Sequence, residues 1–291
     1  MKLSLRSLTT VDGRNLEYAT IGNPNGQTVV FHHGTPGCVF TFMQYQELLT
    51  MGDFFVIAYS RAGYGQSARR EGRTIGDVVK DIGAILDKES RSSYVSVGWS
   101  GGGPHSLACA ALDPRCTGAL SVAGVAPIDA DFDWTEGMGQ ANIDEFELAK
   151  VGGPEYEQHA RAAGDAFKGA TVDNVIDLFG DVMSEVDKEA WAPLYLRERA
   201  AMEYAHAFAT SSDGFFDDDR AFLKPWGFSP QEITVPVSLW YGSNDLMVPS
   251  SHGDWLTKSI PGASAHYFAE DGHMSIWLNH LEAIAKDIAS K

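Results

Sequence analysis

The 291-residue chain has three cysteines, few cations and no long apolar run, and each shortage removes a class of protein. Cys38, Cys109 and Cys116 are odd in number and lack metal-ligand spacing, so they form neither a disulfide framework nor a zinc site. They point to a reduced, cytoplasmic setting, with Cys109 buried on a helix. No stretch approaches the roughly 18 apolar residues of a membrane-spanning helix. Met1 to Gly22 alternates polar and apolar residues and lacks the apolar core of a secretory signal. Lys and Arg total 22 against 39 Asp and Glu, a formal charge of −17, which disfavours the basic face that nucleic acid requires. No His-x-x-x-His pattern with metal-binding context is present, so neither a metal nor another cofactor is predicted. Nucleic acid and membrane are not predicted partners, and nothing in the chain reads out an oligomeric state.

What is present is ample core material, at 44% hydrophobic and 21% charged residues. The charge is uneven. Asp129 to Arg220 holds 22 acidic and 7 basic residues, nearly the whole excess. Solvated helix faces explain such a segment, and a vestibule drawing in amine-bearing substrates would be the sharper reading.

The most informative stretch is Tyr94 to Gly103. A β-rich run, Tyr94–Trp99, feeds into Gly98-Trp99-Ser100-Gly101-Gly102, and a helix-compatible segment from Pro104 to Leu112 follows. Strand, Gly-x-Ser-x-Gly and helix together form the context of a nucleophile elbow. The strained turn brings two backbones together where a Cβ would collide, and lifts the Ser100 hydroxyl clear of the sheet.

Acyl transfer also needs two N–H donors aimed at the developing oxyanion. One is the residue after the nucleophile, Gly101, and the other comes from the loop after the third strand. That loop is His33-Gly34-Thr35-Pro36-Gly37, where Thr35 supplies the amide because Pro36 has none. Near the C-terminus, Val235 to Gly242 reads as a buried strand followed by Ser243-Asn244-Asp245. Ala265 to Ala269 reads as the last strand, followed by Asp271-Gly272-His273. A carboxylate and a histidine past adjacent strands would share the sheet edge of Ser100. His273 would take the hydroxyl proton while Asp245 holds its tautomer.

At these residues the chain resembles the α/β-hydrolase superfamily in its lid-bearing branch. The likeness rests on the three motifs above, on Arg61-Ala62-Gly63-Tyr64-Gly65-Gln66-Ser67, and on the order Ser, Asp, His. Members usually carry Asp where this chain has Ser60, in a segment that reads as a structural turn. Ser100 excludes the branches with a nucleophilic aspartate, the haloalkane dehalogenases and soluble epoxide hydrolases. Prolyl aminopeptidases share His-Gly-Gly-Pro-Gly, a pattern that Thr35 breaks.

The expected fold is α/β: a mostly parallel eight-stranded sheet with helices on both faces and a helical cap inserted after strand 6. Strands are expected in a hairpin over 1–22 and at 28–33, 54–59, 94–99 and 117–124, with helices over 40–51 and Thr74–Lys88. Residues 1–127 and 227–291 would form the core and 128–226 the cap. The cap carries helical patterns at Asn142–Lys150, Pro154–Phe167, Val172–Val182 and Ala190–Phe208. Asp217-Asp218-Asp219 reads as an exposed loop or helix start. Trp134, Phe132 and Met138 suit either an acyl pocket or hinge packing.

Among the other polar residues, Asp129 follows the sixth strand and is the rival triad acid. His33 reads as structural and His105 as packed or capping, while His32, bordering the oxyanion loop, reads as bonded to backbone, with substrate contact as the alternative. His252 and His280 have no suitable strand end before them. The expected function is hydrolysis of a small ester by Ser100, His273 and Asp245. The alternatives are an aminopeptidase whose acidic cap binds a free amino group, and a slow-turnover ligand-binding protein. A cyanohydrin lyase has no specific residue behind it.

Overall fold

The computed structural model describes residues 5–291; the four residues before them, which the hairpin reading includes, lie outside it. Eight strands form one sheet: β1 (Leu5–Thr9), β2 (Asn15–Gly22), β3 (Gln27–His32), β4 (Phe54–Tyr59), β5 (Tyr94–Trp99), β6 (Cys116–Val122), β7 (Val237–Gly242) and β8 (Ser264–Phe268). Their order is β1-β2-β4-β3-β5-β6-β7-β8. β1, β2 and β4 pair antiparallel, and every pair from β4 to β8 is parallel.

Sequence explains the arrangement. β4 reads Phe-Phe-Val-Ile-Ala-Tyr and is buried at every position, as a central parallel strand covered on both faces must be. Each large side chain there contributes about 1.5–3 kcal/mol on leaving water. α1 (Val78–Lys88) buries Val78, Ile82, Ile85 and Leu86 at helical spacing. It packs beside α2 (Gly102–Leu112), while α10 (Leu281–Ala289) lies beside the 3-10 helix Thr41–Thr50, giving a layer on each face. Cys38, Cys109 and Cys116 are all buried and unpaired.

Between β6 and β7 the chain is helical: α3 (Gln140–Val151), α4 (Pro154–Lys168), α5 (Glu185–Ala190), α6 (Leu194–Ala207) and α7 (Asp213–Phe222). Two expectations change here. Val172–Val182 is a turn and a short 3-10 helix, Asp177–Val182, broken where Gly180 takes φ 56°. Asp217, Asp218 and Asp219 are buried inside α7 rather than exposed, because two of them meet cations brought from the core. α8 (Ser251–Ser259) and α9 (Ser275–Asn279) complete the chain.

Candidate active site

Parallel strands deliver their following loops to one edge, the usual place for a site in an open α/β sheet. Ser100 follows β5 directly and takes φ 55°. That left-handed conformation costs a non-glycine residue on the order of 1–3 kcal/mol and persists only where the surroundings enforce it. Ser100 N donates to Val122 O at 2.8 Å, and Gly103 N donates to Ser100 O at 2.8 Å. A Cβ at Gly98 would overlap Gly102 O, and one at Gly102 would overlap His32 O, so this turn closes only with glycine at both places.

Past β7 and β8, Asp245 and His273 come together. His273 Nδ1 donates to Asp245 Oδ2 at 2.7 Å, while Asp245 Oδ1 accepts from Met247 N at 2.8 Å and Val248 N at 2.7 Å. A carboxylate taking three N–H donors leaves the ring proton on Nδ1 and the lone pair on Nε2. Burial works against a charged ring, yet Asp245 and, further off, Asp187 hold the pKa of His273 above the ordinary 6.5. Trp99 Nε1 donates to His273 O at 3.2 Å, tying the loop to the elbow strand. Nε2 itself is buried without a hydrogen-bond partner, so the Ser100 hydroxyl is not bonded to it in this state. Such contacts often tighten only when substrate is bound. Asp129 is exposed on the loop after β6.

On the other side of Ser100 stands the loop after β3. A Cβ on Gly101 would overlap Thr35 Oγ1, which places the two expected oxyanion residues side by side. The loop is held by a buried charge cluster that sequence reading missed. Arg61 Nη2 donates to Gly34 O at 2.8 Å, to Thr35 Oγ1 at 2.9 Å and to Asp218 Oδ2 at 2.6 Å. Thr35 Oγ1 donates to Asp218 at 2.7 Å, and Arg73 pairs with Asp218 at 2.7 Å. Burial opposes the charge, but Arg61 and Arg73 keep the Asp218 carboxyl well below its ordinary range. His33 accepts from Arg61 N at 2.9 Å on Nε2 and reaches Gly34 O at 2.7 Å through Nδ1, the structural role expected of it.

His105, His252 and His32 are also buried and hydrogen-bonded within the fold. His105 bonds Gly101 O at 2.8 Å, and His252 bridges Ala126 N and Trp134 O, each at 3.0 Å. His32 bonds side chains, Tyr59 and Ser96, rather than backbone. Ser60, in place of the usual Asp, donates to Glu17 at 2.7 Å.

Thr35, Ser100 and Gly101 open into a cavity of about 240 Å³ whose far wall is mainly apolar, with Phe146, Phe167, Leu178, Phe179 and Val182. Two carboxyls interrupt that wall. Glu145 pairs with His159 at 3.5 Å, and Asp219 accepts from Tyr156 OH at 2.6 Å. Burial, with Glu145 nearby, raises Asp219 well above a normal carboxyl. Trp134, Phe132 and Met138 stay outside the cavity; Trp134 donates to Ala126 O at 2.8 Å and packs on Phe146 and His252. A second buried acid, Glu203 on α6, accepts from Thr41 and Gln44 and is raised to about 8 by burial against those two hydrogen bonds.

Sheet order, elbow and helical insertion together define the chain as an alpha/beta hydrolase in fold. A family model described as the alpha/beta hydrolase fold matches residues 27–151. The non-heme chloroperoxidase of Streptomyces lividans is 27% identical over 257 residues, 87% of this chain and 86% of its own. A proline iminopeptidase of Xylella fastidiosa is 23% identical over 94% of this chain and 91% of its own. Among solved structures, an esterase from Exiguobacterium antarcticum superposes with a TM-score of 0.67 at 20% identity, covering 98% of this chain and 97% of its own. Among the described residues no helix is long and apolar enough to cross a membrane.

Proposed function

We propose that the chain is a serine hydrolase of small esters, with residues 128–226 acting as a cap over a core of 1–127 and 227–291. Ser100 is the nucleophile, His273 the base, Asp245 the orienting acid, and the amides of Thr35 and Gly101 the oxyanion donors. The observation that carries the reading is the buried Asp245–His273 pair, 2.7 Å apart, with Nε2 left free to accept a proton at the edge where Ser100 stands. His273 takes the hydroxyl proton as Oγ attacks the carbonyl carbon, then passes it to the departing alkoxide as the acyl-enzyme forms. Water, deprotonated by the same ring, releases the acid. A cavity of about 240 Å³ favours a small acyl group. Three buried, unpaired thiols fit a cytoplasmic setting.

The test is a panel of p-nitrophenyl esters on the purified protein with Ser100→Ala beside it. Loss of the hydroxyl lowers turnover on the order of 10⁴- to 10⁶-fold; a variant retaining wild-type turnover removes the assignment. A second reading, an aminopeptidase, is favoured by Glu145 and Asp219 on the cavity wall, where a substrate ammonium would find carboxyl partners. Prolyl naphthylamide cleaved much faster than the esters would select it. Absence of fluorophosphonate labelling would select a ligand-binding protein on the same fold.

A further inference from the structure

His273 is reached from the helical insertion as well as from the sheet. Asp187, fully buried on α5, accepts from His273 N at 2.8 Å and from Ser184 Oγ at 2.8 Å on Oδ2. Its Oδ1 accepts from Met274 N at 2.8 Å, Ser275 N at 2.9 Å and Ser275 Oγ at 2.9 Å. Five donors on one carboxylate, three of them successive amides running from the loop after β8 into the first residue of α9, define the path of that loop. A Cβ on Gly272 would overlap Asp187 Oδ2, so glycine there is what lets the two segments approach.

We propose that Asp187 is a positioning residue for the base: it fixes the backbone of His273, and through it the height of Nε2 over Ser100. The proposal rests on the serine-hydrolase reading above. Asp245 constrains the ring only at Nδ1, a contact about which the imidazole can still rock, whereas Asp187 constrains the backbone carrying the ring. Its segment begins at the cavity wall with Leu178, Phe179 and Val182, so one stretch of the insertion both contacts the acyl space and holds the base. Two buried charges face His273: Asp245 from the loop after β7 and Asp187 from α5. The nearby Asp271 is engaged by Asn279 and His280, each at 2.7 Å.

Asp187→Asn is close to isosteric and tests the idea. The amide oxygen can keep the three donors now on Oδ1, but the new NH2 then faces His273 N, donor against donor. The expected result is a kcat lower by about 10- to 100-fold with KM little changed, the cost of a small misplacement of a catalytic group. The acid limb of kcat/KM should also move to lower pH, because one of the charges holding the ring's pKa up is gone. An unmoved limb, or wild-type kcat, overturns the proposal. Should Asp187→Asn not fold, Ser184→Ala removes one donor from Oδ2 and is expected to lower kcat several-fold at constant KM; unchanged kcat there overturns it equally. Fluorophosphonate labelling of the wild type separates the two layers: an unlabelled wild type removes the triad reading itself, while a labelled wild type beside a fully active Asp187→Asn removes only the positioning role.

Discussion

The hydroxyl of Thr35 donates to Asp218 across 2.7 Å, joining the loop after β3 to a helix more than 180 residues further along the chain. Asp218 is fully buried and is the shared counter-charge of Arg61 and Arg73.

Replacing it with Asn leaves two buried guanidinium groups without compensation. Breaking a buried pair in this way costs about 3–5 kcal/mol, so Asp218→Asn should unfold at markedly lower urea than the wild type. A midpoint equal to the wild type would mean that the cluster stores no stability.

The triad acid can be assigned by comparing two variants. Asp245→Asn removes the acceptor of His273 Nδ1 and is expected to lower kcat on the order of 10³- to 10⁴-fold, because the ring loses its tautomer. Asp129→Asn changes an exposed residue and should leave kcat near the wild type. A larger loss at position 129 would reverse the assignment.

Glu203 predicts a pH-dependent stability. Its pKa rises from 4.5 to about 8 on folding, so between those values the native state holds a proton that the unfolded chain has released. Stability from this group is therefore full below pH 4.5 and is lost as pH rises towards 8, at about 1.4 kcal/mol per unit. Glu203→Gln removes the dependence. Gln44 can then turn its unpartnered Oε1 to accept from the new amide. The stability difference, variant minus wild type, should grow from pH 5 to 8 and then level off in urea titrations. A flat difference would refute it.

Much of this was readable in advance, for identifiable reasons. The elbow announces itself because its glycines and serine are contiguous, Asp245 because it closely follows the buried run of β7, and His273 because it lies a few residues past the last strand pattern. Strand and helix patterns are local, so the order of elements up to β6 came through with small shifts at their ends. Asp218 and Asp187 were illegible for the opposite reason. Three adjacent aspartates resemble a solvated surface until Arg61 and Arg73, some 150 residues away in sequence, are seen beside them. Asp187 sits on a six-residue helix and its partners are three amides and two serine hydroxyls, which leave no mark in composition. Val172–Val182 has helical spacing, but Gly180 in a left-handed conformation breaks it.

The insertion between β6 and β7 sends one carboxylate into the loop beside Gly101 and another into the loop carrying His273. Swapping that segment for one from another protein of the same fold is therefore not a neutral exchange. A chimaera would inherit two orphaned cations on one flank and a slack backbone on the other, so transplanting substrate preference into this protein requires carrying both acids across with the graft.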